Sequence, residues 1–266
     1  MKTLRRLCCT AMLMLWLPAQ AAVSLTNLTD QWWVAFESGW GMAVLQQGDT
    51  LFVDIFVYDT NNNPVWFTST AVLLGQLGGG DFLYTGDLLA TQGPYFGLDA
   101  FTPNTVTRTK VGTLTLDVLT PTTAKLTYSV NGVVVVKAVT RQFLKTQDVT
   151  GNYFGGFIFD ASGCTPSSLN GTVTQSANLL IGKVGSTVTI FEGNISGGSC
   201  NYSGSYTQDG HLGTISGNFS CTNGDNGTFT ASEIEVSRSG IAGQFTGQSQ
   251  ACTKLQGQFG GVRTLD

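Results

Sequence analysis

Ala124-Lys125-Leu126-Thr127-Tyr128-Ser129-Val130 runs into Asn131-Gly132, and Val133-Val134-Val135-Val136-Lys137-Ala138-Val139 follows at once. The first run alternates with a period of two, so in an extended chain Ala124, Leu126, Tyr128 and Val130 share one face. Lys125, Thr127 and Ser129 share the other. Asn-Gly supplies the two positive-φ residues that a type I′ turn demands, and its twist matches that of the strands it joins. These residues therefore predict an antiparallel hairpin with one apolar and one wet face.

The same grammar extends in both directions. Gly48-Asp49 joins an extended run over 39–47 to one over 50–59, and Asn61-Asn62-Asn63-Pro64 turns that strand into another over 65–72. Further strands are expected over 81–88 and 106–119, and in a run ending at Phe143. The second half opens with a strand over 151–160, with turns expected at Ser176-Ala177-Asn178, Asp209-Gly210, Asn223-Gly224 and Ser239-Gly240. No helical period of useful length follows the first 21 residues. The fold class expected is all-β, two small antiparallel meander barrels or sandwiches. The abundance of glycine implies strongly bent strands and favours barrels.

Residues 1–21 read as a cleaved signal peptide. Lys2, Arg5 and Arg6 precede an apolar stretch from Leu7 to Leu17, and Ala19-Gln20-Ala21 supplies the small residues of a cleavage site. That stretch is too short to cross a bilayer as a helix, which takes roughly 20 residues, and no later one is longer, so no transmembrane segment is expected. Cys8 and Cys9 would leave with the signal. Cleavage leaves 10 basic against 17 acidic residues. An acidic chain of that kind is a poor partner for nucleic acid or anionic membranes. Export to the periplasm, the medium or the cell surface is the expected destination.

Composition also divides the chain. Trp32, Trp33, Trp40 and Trp66 all fall before residue 70, whereas 22 of the 34 glycines and Cys164, Cys200, Cys221 and Cys252 all follow residue 147. Two domains are expected, a tryptophan-rich one over 22–147 and a glycine-rich, disulfide-bonded one over 148–266, with the boundary in Lys145 to Thr150.

Glu37-Ser38-Gly39-Trp40-Gly41, Gln46-Gln47-Gly48-Asp49-Thr50-Leu51-Phe52, Tyr58-Asp59 and Pro64-Val65-Trp66-Phe67 together resemble an uncharacterised repeat module of secreted proteobacterial β-proteins. Tyr84-Thr85-Gly86, Gln92-Gly93-Pro94, Tyr128 to Gly132 and Thr140-Arg141-Gln142 look like its later blocks. The resemblance covers residues 30–145. It implies an exported bacterial β-module and brings no catalytic residue with it.

Four cysteines in an exported domain read as two disulfides, and four cysteines allow three pairings. A turn at Asp209-Gly210 would set Cys200 almost opposite Cys221. Closure of a meander would bring Cys164, in the first loop, to Cys252, in the last. Dispersed single cysteines and one histidine do not make a zinc site. That histidine, His211, adjoins a turn and reads as an exposed polar residue. No Ser-His-Asp or Cys-His arrangement is apparent. Asp59 to Asn63 superficially resembles a calcium loop, but Pro64 stands where glycine is required, so it reads as a hairpin turn.

One constellation carries a ligand expectation. With a two-residue turn at Gly48-Asp49, Trp40, Met42 and Val44 pair with Val57, Ile55 and Val53 on the core face. The opposite face sets Gly39, Gly41 and Ala43 across from Tyr58, Phe56 and Asp54. Small residues facing aromatics suggest a recess for a sugar ring or another small amphipathic ligand, held by stacking and one charged hydrogen bond. The function expected is a non-catalytic binding or surface-interaction module for an unidentified ligand or surface partner, with no cofactor and no metal. The alternative is a secreted carbohydrate hydrolase working through carboxylates such as Glu37 and Asp54.

Overall fold

The computed structural model describes residues 26–76, 81–97, 100–194 and 198–264, so the signal-peptide reading and Cys8 and Cys9 lie outside the described residues. Eight strands come first: β1 (Asp30–Trp33), β2 (Gly41–Gln47), β3 (Thr50–Tyr58), β4 (Pro64–Gln76), β5 (Phe82–Gln92), β6 (Thr107–Thr120), β7 (Thr123–Val130) and β8 (Val133–Arg141). Each pairs antiparallel with the next, and β8 returns to β1 through Trp32↔Arg141 and Trp33↔Thr140, which closes a barrel. Eight more follow: β9 (Gly151–Cys164), β10 (Gly171–Val184), β11 (Thr187–Asn194), β12 (Ser199–Asp209), β13 (Leu212–Cys221), β14 (Asn226–Val236), β15 (Gly240–Ser249) and β16 (Cys252–Arg263). They close a second barrel of the same up-and-down topology through β16 against β9. The seam of the second barrel is long, from Cys252↔Cys164 to Arg263↔Tyr153, whereas that of the first rests on two residue pairs because β1 has only four residues.

The hairpin of β7 and β8 forms with Val130 paired to Val133, and Asn131 and Gly132 take φ of 49° and 86°. The alternation places Ala124, Leu126 and Tyr128 in the core, as the period-two pattern dictates. In β2 and β3 the register is Met42↔Ile55 and Val44↔Val53, so those four side chains point inward and are buried. Trp32 fills the centre of the first barrel, its indole N–H donating to Leu28 O at 3.0 Å. Burying a side chain of this size stabilises by roughly 1.5–3 kcal/mol.

In the second half the predicted turn at Ser176-Ala177-Asn178 is absent. Those residues lie inside β10, where Ala177 pairs with Gly155 on one side and Asn194 on the other. Ser and Asn have turn-like chemistry, but Ala177, Leu179 and Ile181 carry an unbroken inward alternation through the segment. The reversal falls instead at Gly185-Ser186, where Gly185 has φ of 61°. Both expected disulfides are present, Cys200 to Cys221 across β12 and β13 and Cys164 to Cys252 across the closing seam. The two bridges lie at the same end of the second barrel.

The segment 142–150 joins the barrels without strand structure and docks on the second one. Val149 is buried in that barrel's core, and Gln147 N–H donates to Gln208 Oε1 at 2.8 Å. Arg263 Nη1 donates to Thr150 O at 2.8 Å.

Candidate functional site

The outer faces of β2, β3 and β4 carry the predicted ligand residues. Since Leu51, Val53 and Ile55 face the core, Phe52, Asp54, Phe56 and Tyr58 must point outward. Cross-strand pairing then builds rows: Gly41, Phe56 and Trp66 in one, Ala43, Asp54 and Thr68 in the next, Leu45, Phe52 and Thr70 beyond. Tyr58 stands beside Pro64. The aromatic members remain exposed, Phe52 by 43%, Phe56 by 41%, and Tyr58 and Trp66 each by 59%. Isolated exposed apolar residues are ordinary, whereas a contiguous aromatic group on one sheet face marks an interaction surface.

The glycines serve this face differently from the recess expected. A Cβ on Gly41 would lie 2.6 Å from two ring carbons of Phe56, and one on Gly39 would lie 3.3 Å from the Tyr58 hydroxyl. The rings lie down over the glycines and fill the space themselves. The result is a flat platform, not an empty recess. Asp54 sits in its middle, half-buried, and among the described residues no hydrogen bond or ion pair engages its carboxylate. Partial burial between the flanking rings lifts its pKa above the ordinary carboxylate value. Glu37, the other carboxylate considered, is occupied by an ion pair with Lys137.

His211 is not the free turn residue expected. It lies between the barrels, its Nδ1 2.8 Å from Asp30 Oδ2 and its Nε2 3.5 Å from Glu235 Oε1. The His211 backbone N–H donates to the same Asp30 oxygen at 3.1 Å. Arg141, whose side chain is wholly buried, reaches that oxygen at 3.2 Å and donates to Pro121 O at 2.7 Å and to Asn27 O at 2.6 Å. Its guanidinium also lies over the Trp32 ring, 4.9 Å from the centroid. The hydrogen bond to Asp30, with that to Glu235, raises the His211 pKa to about 9. Burial pushes Asp30 up, but hydrogen bonds from His211 and Arg141 outweigh it and leave Asp30 below its usual value. Nothing in the local sequence around residue 211 reveals this cluster, because its members come from β1, β8, a turn and β14. No group of three or more His, Cys, Asp or Glu side chains suited to a metal ion occurs among the described residues.

No family model, curated protein or solved structure matches this chain.

Proposed function

We propose that this chain is an exported, non-catalytic binding protein that holds carbohydrate, or another small amphipathic ligand, on the outer face of β2, β3 and β4. The observation that carries the reading is Asp54, a carboxylate with no hydrogen-bond or ion-pair partner among the described residues, set among the exposed rings of Phe52, Phe56, Tyr58 and Trp66. Stacked sugar rings offer C–H faces to aromatics and hydroxyl donors to a carboxylate, and both needs are met here within one sheet face. Two disulfides suit an oxidising compartment, and the signal-like start and the resemblance to exported proteobacterial modules support the same location.

Trp66 makes the test direct. Titration with a panel of oligosaccharides and cell-wall fragments is expected to change its fluorescence, and Trp66→Ala is expected to abolish both signal and binding. Asp54→Asn is expected to weaken binding by about 1–3 kcal/mol, the value of a charge-assisted hydrogen bond. Affinity unchanged in both variants would remove the platform as the site. Cleaved product from any bound oligosaccharide would replace the binding reading with the hydrolase one.

A further inference from the structure

The interior of the second barrel is unlike that of the first. The first is filled by Trp32 and its branched aliphatic neighbours, whereas the second encloses a cavity of about 740 Å³ that begins at the disulfide-bonded rim. On the inward faces of β15 and β16, Gly247 and Gly257 alternate with Phe245, Leu255 and Phe259, and a Cβ at either glycine would meet the backbone of the neighbouring strand, Thr228 O at 2.7 Å and Ile158 O at 2.2 Å. A cavity of this size lies in the range of pockets that hold small organic ligands.

Its lining is mainly apolar and aromatic, with Asn223, Asp225, Thr228, Ser249 and Gln250 among its polar members and Gln175 and Glu192 beside Tyr202. Glu192, on β11, projects into the cavity and is only 3% exposed. Both carboxylate oxygens accept hydrogen bonds, one from Gln175 Nε2 and the other from the Tyr202 hydroxyl at 2.7 Å. Among the described residues no cation pairs with it. Burial raises the Glu192 pKa, against the pull of Tyr202 and Gln175, which is the mark of a desolvated carboxylate lacking a counter-charge. Beside it the Tyr202 ring is stacked on Phe219 at 5.5 Å and meets Phe229 edge-on at 5.2 Å. A carboxylate flanked by aromatic faces is the chemistry that receives an ammonium group, by ion pairing and cation–π attraction together.

We infer that the second barrel is a receptor for a small organic amine, whose ammonium group meets Glu192 and Tyr202 while its apolar body fills the space among Phe157, Phe159 and Phe245. This site is independent of the aromatic platform on the first barrel.

Isothermal titration of the full chain at neutral pH with 1-naphthylmethylamine, with the neutral 1-naphthylmethanol and with 1-naphthoate tests the inference. The amine is expected to bind about tenfold or more tighter than the alcohol, and the naphthoate not at all. Glu192→Gln is expected to erase the preference while the alcohol still binds. Ala161→Phe, which places a ring in the cavity, is expected to block both. Equal affinity for amine and alcohol, a preference that survives Glu192→Gln, or no binding of either probe at millimolar concentration would overturn the proposal. Should Glu192→Gln fail to fold by circular dichroism, the amine-to-alcohol ratio of the unaltered protein and its loss in Ala161→Phe still decide the matter. Both substitutions lie inside the second barrel, so binding to the first cannot imitate the result.

Discussion

His211 shows how far a single residue's role can depend on partners distant in sequence. It occupies the second position of a two-residue turn after Gly210, where a polar side chain needs no explanation, yet Asp30 lies 181 residues away and accepts from it twice. A histidine whose folded pKa is raised contributes stability in full below its unfolded value of about 6.5 and loses it as pH climbs through the folded value, here about 9. Denaturant unfolding measured from pH 6 to 10 is therefore expected to show stability falling across that window by roughly 1–2 kcal/mol. That is less than the full shift implies, because the ring is 28% exposed and screened by water. His211→Ala is expected to flatten the dependence. Unchanged pH dependence in that variant would show that the cluster does not couple to folding. Asp54 makes the opposite contrast: its placement was legible, because a carboxylate at an odd step of an alternating strand can only face outward. What the sequence could not disclose was that Phe56 would cover Gly41, since that depends on a rotamer choice and not on register.

At the level of elements, turn chemistry and period-two alternation were enough wherever both agreed. Asn131-Gly132, Gly48-Asp49 and Asn223-Gly224 each combine a glycine at positive φ with alternating flanks, and each forms the turn expected. Where they disagreed, at Ser176 to Asn178, alternation prevailed, because a turn there would have pulled Ala177, Leu179 and Ile181 from the core. The β12–β13 turn falls at Gly210-His211, one residue later than the Asp209-Gly210 expected, which moves Cys200 from almost opposite Cys221 to directly opposite it, and barrel closure sets Cys164 against Cys252. These bridges close loops of 21 and 88 residues, which in the chain-entropy model stabilise by roughly 3 and 4.5 kcal/mol. Both belong to the second barrel, whereas the described tryptophans Trp32, Trp33, Trp40 and Trp66 all belong to the first. Reduction is thus expected to lower the second barrel's melting transition, followed by far-ultraviolet circular dichroism, and to leave the tryptophan-monitored transition in place. A tryptophan transition that moves equally would mean that the two barrels unfold as one.

For the whole molecule the question is whether two barrels of one topology are also two folding units. Their buried residues form separate clusters, Trp32, Met42, Leu51 and Leu116 among those of the first and Tyr153, Leu179, Ile215 and Ile234 among those of the second, with no shared member. What connects them is polar: Asp30 and Arg141 against His211 and Glu235, and Gln208 against the segment that carries Lys145 and Gln147. Arg141 donates to Asn27 O, Thr29 O, Asp30 Oδ2 and Pro121 O in the first half and touches His211 Nδ1 of the second at 3.4 Å, so removing the second half costs it that one long contact and leaves those four acceptors in place. A hydrophobic interface cut open would expose apolar surface and promote aggregation, whereas a polar one exchanges its partners for water at small cost. Residues 22–147 expressed alone are therefore expected to give a soluble chain with one cooperative thermal transition, less stable than in the full protein by no more than about 1–2 kcal/mol for the lost His211 contacts. The reverse fragment, 148–266, is expected to fold only when oxidised, because its cavity forgoes the packing that fills the first barrel and its bridges supply the difference. An insoluble or non-cooperative 22–147 fragment would show instead that the polar junction is required for either barrel to form.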